Sequence, residues 1–318
     1  MMRTLLIRLS ILLFAVSVHG QAAIEPLIVM PSETDKAIDT FDTPHRVYFK
    51  KGVKPRRQLV VFLPGTGGDG RGGRLISQLA AGLGYHAVSL TYPSSVPAAI
   101  CQRESDDNCF ENFRLEIITG EDKTGLLSIN RANSIENRLL KLISYLHKKD
   151  PAAGWNDFLT RDNELNWERL VLTGQSQGGG HAPLMAKYHK VARVIMYSSP
   201  KDYDVAKGRP AKWYAKGKTP LDRFFSFNHM QDKQGCDYTQ QLEVLRTMGS
   251  YQFGGPVNVD TTRPPYSNSR ILVTNHPGTA ISSAEAHTMI MGDGRTPTGP
   301  GRVPLFEPVW TYMLTKDR

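Results

Sequence analysis

The stretch that most constrains the fold is 168–185, ERLVLTGQSQGGGHAPLM, in which a short apolar run stops at a glycine-rich turn. Residues 170–172 have the length and composition of a strand that is buried on both faces of a parallel sheet. The turn reads G-x-S-x-G, with Ser176 between Gly174 and Gly178. These glycines let the strand and a following helix pass close together, and the sharp turn holds the serine hydroxyl out of the sheet. This geometry suits a nucleophile.

The residues after this turn add to the constraint. Gly178, Gly179 and Gly180 follow one another, and each costs a helix about 1 kcal/mol relative to alanine. Such a run indicates that another backbone or a substrate must come very close. A helix is predicted over 182–190, and Pro183 predicts either an irregular first turn or a later start of the regular helix. The alternative is an ordinary loop serine, because G-x-S-x-G also arises by chance.

The amino terminus is different from the rest of the chain. Arg3 and Arg8 precede an apolar stretch at 11–18, and small residues follow it. This layout predicts a secretory signal peptide over 1–20, with cleavage after residue 20 or residue 22. A retained membrane anchor is the alternative, but the apolar stretch is short for a bilayer span. The predicted location is secreted or periplasmic, with no stable membrane span after cleavage.

Composition and charge restrict the class of protein. The chain has 318 residues, of which 40% are hydrophobic and 22% charged, which favours one globular domain over 21–318. The net charge is +9, but acidic residues are interspersed and the basic runs lack aromatic residues. A nucleic-acid groove is therefore not expected. The sequence makes no prediction of the oligomeric state.

Three cysteines stand at positions 101, 109 and 236. In an oxidising compartment Cys101 and Cys109 would close a small acidic loop, so a disulfide between them is predicted. Cys236 would then be free, or would take one of the two as its partner in a different pairing. The cysteine spacing matches no zinc pattern, so no structural metal is predicted.

Strands alternate with helices from about residue 46 to the end, which predicts an α/β fold: a mostly parallel sheet with helices on both faces. Residues 27–43 are predicted to be a lead-in and 46–50 a short edge strand. The stretch 93–131 is too long for a simple connection and is predicted to be an insertion over the carboxyl edge of the sheet. The other strands are predicted at 58–63, 86–91, 192–197, 223–228 and 270–274, and the other helices at 74–83, 134–147, 238–248 and 304–314.

A second glycine-rich loop, Pro64-Gly65-Thr66-Gly67-Gly68, follows the strand at 58–63. It lacks the lysine and the serine or threonine of a nucleotide P-loop. A loop of small residues beside a nucleophile can instead offer backbone N–H groups to a substrate oxygen, so Gly65 and Thr66 are candidates for an oxyanion hole. A plain turn from strand to helix is the alternative.

The turn at Ser176, the glycine-rich loop and the alternation of strands and helices together resemble the α/β-hydrolase family. In that family the catalytic residues come in the order serine, acid, histidine. The resemblance implies that Ser176 is the nucleophile and that Asp232, which follows the strand at 223–228, is the acid, with Asp202 as the alternative. It implies that His287 is the base, with His276 as its competitor.

The resemblance also implies a reaction. His287 would take the proton of Ser176, the alkoxide would attack a carbonyl carbon, and Asp232 would orient the imidazole. The backbone N–H of Gln177 and one from the glycine-rich loop would bind the oxyanion, and no cofactor is required. The run of three glycines is similar to that of secreted members that cleave lipids and polyesters, which favours a carboxylic ester as the substrate.

Further residues are candidates for substrate contacts. The connection over 198–222 is too short for a large lid, which predicts a fairly open pocket with Trp213 or Tyr214 at its rim, unless these aromatic residues only pack. His181 and His229 lie near the expected site, where they are predicted to contribute packing, hydrogen bonds or substrate contacts rather than proton transfer.

Three functions from different classes stay open at this stage. A secreted serine esterase or lipase-like hydrolase, acting on a small-molecule, lipid or polyester ester, is favoured. A serine peptidase on the same fold is second, because esters and amides share a tetrahedral intermediate. A non-catalytic binding protein on a hydrolase scaffold is third, because a fold alone does not guarantee chemistry.

Overall fold

The structure, a computed structural model, describes residues 24–215 and 217–316. The predicted signal peptide and its cleavage positions lie outside the described residues. Eleven strands are formed within the described ranges: β1 (Leu27–Val29), β2 (His45–Tyr48), β3 (Leu59–Leu63), β4 (His86–Ser89), β5 (Leu170–Gln175), β6 (Arg193–Tyr197), β7 (Tyr203–Asp204), β8 (Arg209–Pro210), β9 (Phe224–His229), β10 (Val257–Asn258) and β11 (Ile271–Thr274).

Eight α-helices accompany these strands in the described part of the chain: α1 (Pro31–Thr34), α2 (Arg74–Gly82), α3 (Cys109–Thr119), α4 (Ile135–Lys149), α5 (Gln177–Tyr188), α6 (Tyr238–Thr247), α7 (Ser283–Met289) and α8 (Glu307–Thr315). None of these described helices combines the length and hydropathy needed to cross a bilayer.

Nine strands form one sheet in the order β1-β2-β4-β3-β5-β6-β9-β11-β10. Strand β2 runs antiparallel to both β1 and β4, and every other pairing is parallel. Strand β5 lies near the middle, where Leu63 pairs with Gly174 on one side and Tyr197 pairs with Gln175 on the other. The residues that follow β3, β5, β6, β9 and β11 therefore meet at one edge of the sheet.

The predicted fold class is confirmed, because apolar side chains fill the space on both faces of the sheet. Along β5, Leu170 and Leu172 join the larger core beneath α3, α4 and α5, whereas Val171 joins the core beneath α2 and α8. This alternation within one apolar run is the pattern of a strand buried on both faces.

Two predictions about these elements are wrong: the position of one strand in the sheet and the start of one helix. The strand predicted at 46–50 is not at the edge, because residues 27–29 of the predicted lead-in form β1 and cover β2. The helix predicted at 182–190 begins at Gln177, and Pro183 lies inside it. All three glycines of the run are therefore helical, and the reason for them is close approach by neighbouring groups.

The stretch 93–131 contains a short 3-10 helix, Ala98–Arg103, and α3, which packs against α4 and α5. The loop after α3 is organised by one side chain: the buried carboxylate of Glu116 accepts hydrogen bonds from the backbone N–H groups of Lys123, Thr124 and Ile129 at 3.0–3.1 Å. A buried carboxylate needs such donors to replace water. The insertion is therefore an ordered layer against the sheet's helices.

Candidate active site

Ser176 lies at the sharp turn between β5 and α5, with φ 54° and ψ −114°. A non-glycine residue at positive φ is uncommon and is held there by its surroundings. The crossing is tight: a Cβ on Gly178 would lie 2.0 Å from the Leu63 carbonyl oxygen, and one on Gly174 would lie 2.4 Å from the carbonyl carbon of Gly178. Only glycines at both positions let β3, β5 and α5 meet here.

Asp232 and His287 are brought together from different parts of the chain. Asp232 follows β9 and His287 lies on α7, and the distance from His287 Nδ1 to Asp232 Oδ2 is 2.9 Å. The aspartate side chain is fully buried, and 12% of the histidine side chain is exposed. Burial alone would raise the pKa of Asp232, but the hydrogen bond from His287 and the charge of Lys201 outweigh it and hold that pKa below its ordinary value.

The position of His287 is also fixed through its main chain. Its carbonyl oxygen accepts hydrogen bonds from Ser198 Oγ at 2.6 Å and from Gln175 Nε2 at 3.3 Å. Gln175 ends β5 and Ser198 directly follows β6. Helix α7 is thereby tied to the two strand ends that flank Ser176.

The two competitors for these positions have other partners. The buried Asp202 accepts hydrogen bonds from Arg114 Nε at 2.6 Å and from Trp213 Nε1 at 2.8 Å. The ring of His276 lies edge-on to Phe306 with 6.3 Å between the ring centroids, and its carbonyl oxygen lies 2.8 Å from His229 Nε2. His229 Nδ1 accepts from the backbone N–H of Gln231. Asp202 therefore serves a buried ion pair with Arg114, and His229 is held in one tautomer behind the strand ends.

A cavity of about 410 Å³ opens at this edge of the sheet. Ser176 and His287 both line it, together with Gly65, Thr66 and Gln177, the residues predicted to bind an oxyanion. The remaining lining residues come from the insertion and from the loops after β6 and β9: Pro97, Ala98, Ala99, Gln102, Phe110, Arg114, Lys201, Asp202, Gln234 and Gly235, with Gln175 and Thr288 beside the serine and the histidine.

The side chain of Gln177 joins the walls of this cavity. Its Oε1 accepts hydrogen bonds from Thr66 Oγ1 at 2.8 Å and from the backbone N–H of Ala98 at 3.0 Å. The glycine-rich loop passes directly over the serine, since a Cβ on Gly65 would lie 3.3 Å from Ser176 Cβ. The loop can therefore bring its backbone close to any group bound at Ser176.

Three residues predicted to contact substrate lie elsewhere: Trp213, Tyr214 and His181 are buried and do not line the cavity. Trp213 stacks on Tyr214, whose hydroxyl accepts from the backbone N–H of Asp202 at 3.1 Å. Burial, with the charge of Arg114, lowers the pKa of His181 well below its ordinary value, so its imidazole is neutral. Trp213 and Tyr214 thus contact the cavity through Asp202, because the connection that carries them folds inward.

Arg114 explains the third glycine of the run. Its guanidinium binds Asp202 through Nε and Nη2 and donates from Nη1 to the carbonyl oxygen of Gln177 at 2.9 Å. A Cβ on Gly180 would lie 2.2 Å from Arg114 Nη2. The glycine therefore makes room for a buried charge against α5, and the sequence did not predict this role for Arg114.

The structure also contains the predicted disulfide and a lysine that sequence reasoning missed. Cys101 and Cys109 are joined, which ties the 3-10 helix Ala98–Arg103 to the start of α3, and Cys236 is free and buried. Lys201 Nζ lies 2.9 Å from Asp232 Oδ2. The signal in the sequence was its position in the segment that follows β6, close to the carboxyl edge of the sheet.

No protein-family model matches the chain, and no curated protein matches it. Solved structures do match the chain. Esterase 2 of Thermogutta terrifontis phosphorylated by paraoxon is 13% identical over 78% of this chain and 81% of that chain, with a TM-score of 0.40. The acylaminoacyl peptidase of Pyrococcus horikoshii is 13% identical over 80% of this chain, with a TM-score of 0.41, and the match spans only 37% of that chain.

A third structure, TT1662 from Thermus thermophilus, is 12% identical over 93% of this chain and 99% of that chain, with a TM-score of 0.44. The fold itself is read from the sheet order and from the strand, turn and helix around Ser176. The chain thus has the α/β fold class that its sequence predicted.

Proposed function

We propose that this protein is a serine hydrolase that cleaves carboxylic esters through an acyl-enzyme, with Ser176 as the nucleophile, His287 as the base and Asp232 as the acid. One observation carries the proposal. The 2.9 Å contact between His287 Nδ1 and Asp232 Oδ2 occurs in the wall of the cavity into which the turn presents Ser176. The three residue types come in the chain order of the α/β-hydrolases, and all three follow or lie near the carboxyl ends of parallel strands.

The hydrogen-bond pattern at Asp232 assigns the protons. An ionised carboxylate only accepts, so Nδ1 of His287 donates to it, and in the neutral imidazole that the proposed reaction starts from, Nε2 has a lone pair. In the proposed reaction Nε2 takes the proton of Ser176 Oγ while Oγ bonds to the ester carbonyl carbon. Collapse of the tetrahedral intermediate expels the alcohol, which takes that proton from Nε2. Water then repeats the sequence on the acyl-enzyme and returns Ser176 with the carboxylic acid product.

Negative charge develops on the carbonyl oxygen during both steps. The N–H of Gln177 at the start of α5 and the N–H groups of Gly65 and Thr66 are the donors proposed to bind it, and one such donor is worth about 3 kcal/mol where its removal has been measured. The hydrogen bonds from Thr66 and Ala98 to the Gln177 side chain support this role, since they hold the loop against the helix before substrate binds.

The proposal includes export from the cell. The amino-terminal sequence has the layout of a signal peptide, and the disulfide between Cys101 and Cys109 is of the kind that persists in an oxidising compartment. Expression of the full chain in a bacterial host, followed by fractionation and amino-terminal sequencing, tests this. We expect mature protein outside the cytoplasm that starts at residue 21 or 23. An uncleaved chain in the cytoplasm would contradict export without touching the catalytic proposal.

A fluorophosphonate probe tests the catalytic proposal, because it labels activated serines whether the natural substrate is an ester or an amide. We expect labelling at Ser176, identified by peptide mapping, and none in Ser176→Ala. Ser144→Ala, in α4, is the matched control and should label like the wild type with similar thermal unfolding. A folded wild-type protein that never labels would contradict the proposed function. Short-chain nitrophenyl esters compared with peptide anilides then separate esterase from peptidase.

A further inference from the structure

Lys201 is unusual in its surroundings, because a cation is buried against the carboxylate that already binds His287. Its Nζ lies 2.9 Å from Asp232 Oδ2, and 9% of its side chain is exposed. The same ammonium donates to the carbonyl oxygens of Gln234 at 2.6 Å and Cys236 at 3.4 Å. All three of its protons therefore have acceptors within the protein, which leaves it engaged with the carboxylate rather than with solvent.

These contacts fix the orientation of the Asp232 carboxylate. Oδ1 accepts from the backbone N–H of Gln234 at 2.9 Å, and Oδ2 is shared between Lys201 Nζ and His287 Nδ1. A buried carboxylate with donors on both oxygens cannot rotate without losing charge-assisted hydrogen bonds. Lys201 thus points the shared oxygen toward the imidazole.

The charge of Lys201 has a second effect. A carboxylate alone would stabilise an imidazolium at His287, whereas a carboxylate that is already ion-paired attracts it less. Nζ and Nδ1 contact the same oxygen, so the two cations would lie about 4 to 5 Å apart. The lysine therefore opposes protonation of His287 and keeps its Nε2 available as a base at lower pH.

The other titratable and charged groups near Asp232 and His287 are paired, neutral or exposed, so their charges act less on His287. Arg114 and Asp202 form a buried ion pair that is neutral as a unit. Burial lowers the pKa of His229, whose two nitrogens already have partners, and it raises the pKa of the Cys236 thiol to about 12, so both are neutral near pH 7. Two charged side chains on the same segments are exposed: Lys233 and Glu285.

We infer that Lys201 is a positioning residue of the proposed triad: it holds the Asp232 carboxylate toward His287 and extends proton abstraction by His287 to lower pH. This inference rests on the proposed function. It assigns to the segment after β6 a role in setting the working pH of the site, although no atom of Lys201 has to touch the substrate.

The test is the rate of fluorophosphonate labelling of Ser176 between pH 4 and pH 9, with circular dichroism at each pH to verify folding. In Lys201→Met we expect the midpoint of the acidic limb to rise by about 2 to 3 pH units, from Coulomb's law at a separation of about 4 to 5 Å and an effective dielectric of about 20. Lys201→Arg keeps the charge and should keep the midpoint, whatever its effect on the rate. Lys148→Met, an exposed lysine on α4, controls for net charge and should also keep it.

Lys201→Gln, which removes the charge but keeps a donor, covers the case in which the methionine variant does not fold, and its midpoint should rise in the same way. If Lys201→Gln or Lys201→Met labels more slowly with an unchanged midpoint, Lys201 has a merely structural role and the inference is overturned. A folded wild-type protein that is unreactive at every pH would overturn the proposed function, and this inference with it, before any variant is compared.

Discussion

Replacing Gly180 by alanine tests whether this glycine is needed to make room for Arg114 or is merely tolerated within the helix. Gly180 lies inside α5, where alanine would ordinarily stabilise the protein by about 1 kcal/mol. In this structure the added methyl carbon would lie 2.2 Å from Arg114 Nη2 and 2.3 Å from Arg114 Cζ. We therefore expect the opposite sign, because the guanidinium is held by a buried ion pair and cannot move freely.

The magnitude follows from the displacement that the methyl group requires. Ordinary contact begins at 3.4 Å, so the guanidinium must retreat by 1.2 Å, the difference between 3.4 and 2.2 Å. A retreat of that size would stretch the 2.6 Å bond from Arg114 Nε to Asp202 beyond hydrogen-bond range. Breaking a buried pair costs about 3 to 5 kcal/mol, so after the helix gain the net loss is about 2 to 4 kcal/mol.

Urea and thermal unfolding measure this loss, which corresponds to a fall in Tm of at least about 3 °C for a chain of this size. Gly82→Ala is the matched control, because Gly82 ends α2 and a methyl there meets nothing within 4 Å. It should be neutral or stabilising by up to about 1 kcal/mol. A Gly180→Ala protein as stable as the wild type would refute the argument that Arg114 is fixed against α5.

Three further predictions use other parts of the structure. Asp232→Asn should lower kcat of ester hydrolysis by about 10⁴-fold, whereas Asp202→Asn should mainly lower Tm, because it leaves the guanidinium of Arg114 without its anion. Replacing Cys101 and Cys109 by serine should cost about 2 to 3 kcal/mol in urea unfolding, the expectation for so short a loop, and should raise KM. Burial lowers the pKa of His45 to about 3, so as pH falls below about 6.5 only the unfolded chain gains a proton at this residue. The free energy of unfolding should therefore drop by up to about 1.4 kcal/mol per pH unit between pH 6 and pH 4. It should drop less in His45→Asn.

Each of these three predictions has an outcome that would contradict it. Equal, mild losses of turnover in the two aspartate variants would mean that neither is the acid. An unchanged KM in the serine double variant would separate the disulfide from the cavity wall. Parallel curves of stability against pH for His45→Asn and the wild type would show that His45 does not resist protonation in the folded protein.

Local patterns predicted the strands and the turn at the candidate site, but not α7, the helix that carries His287. The apolar run before Ser176 and its flanking glycines made β5 and its turn predictable. Asp232 and His287, which the resemblance named as acid and base, are in contact. Helix α7 was missed, although Ser282 and Glu285 form a capping box that the sequence shows. Strand β1 was missed because three residues are too few to show alternation.

The charged contacts around the site were not predictable in the same way. Arg114 and Asp202 are 88 positions apart, and neither hydrophobic periodicity nor a motif links them. Lys201 pairs with a carboxylate 31 positions later only because β6 and β9 are neighbours in the sheet. For Trp213 and Tyr214 the sequence left open whether they lie at the rim or only pack, because length alone does not tell whether a connection folds outward or inward.

Glu116 binds the main chain of the loop at 123–129, so the side chains of this loop are free to vary. The carboxylate holds main-chain amides, which every residue except proline possesses, so the contact places no demand on the side chains displayed there. Homologous or engineered sequences can thus diversify this segment while its path is preserved. A substitution library over 123–129 should retain folded protein at most positions, whereas Glu116→Ala should collapse the whole segment at once.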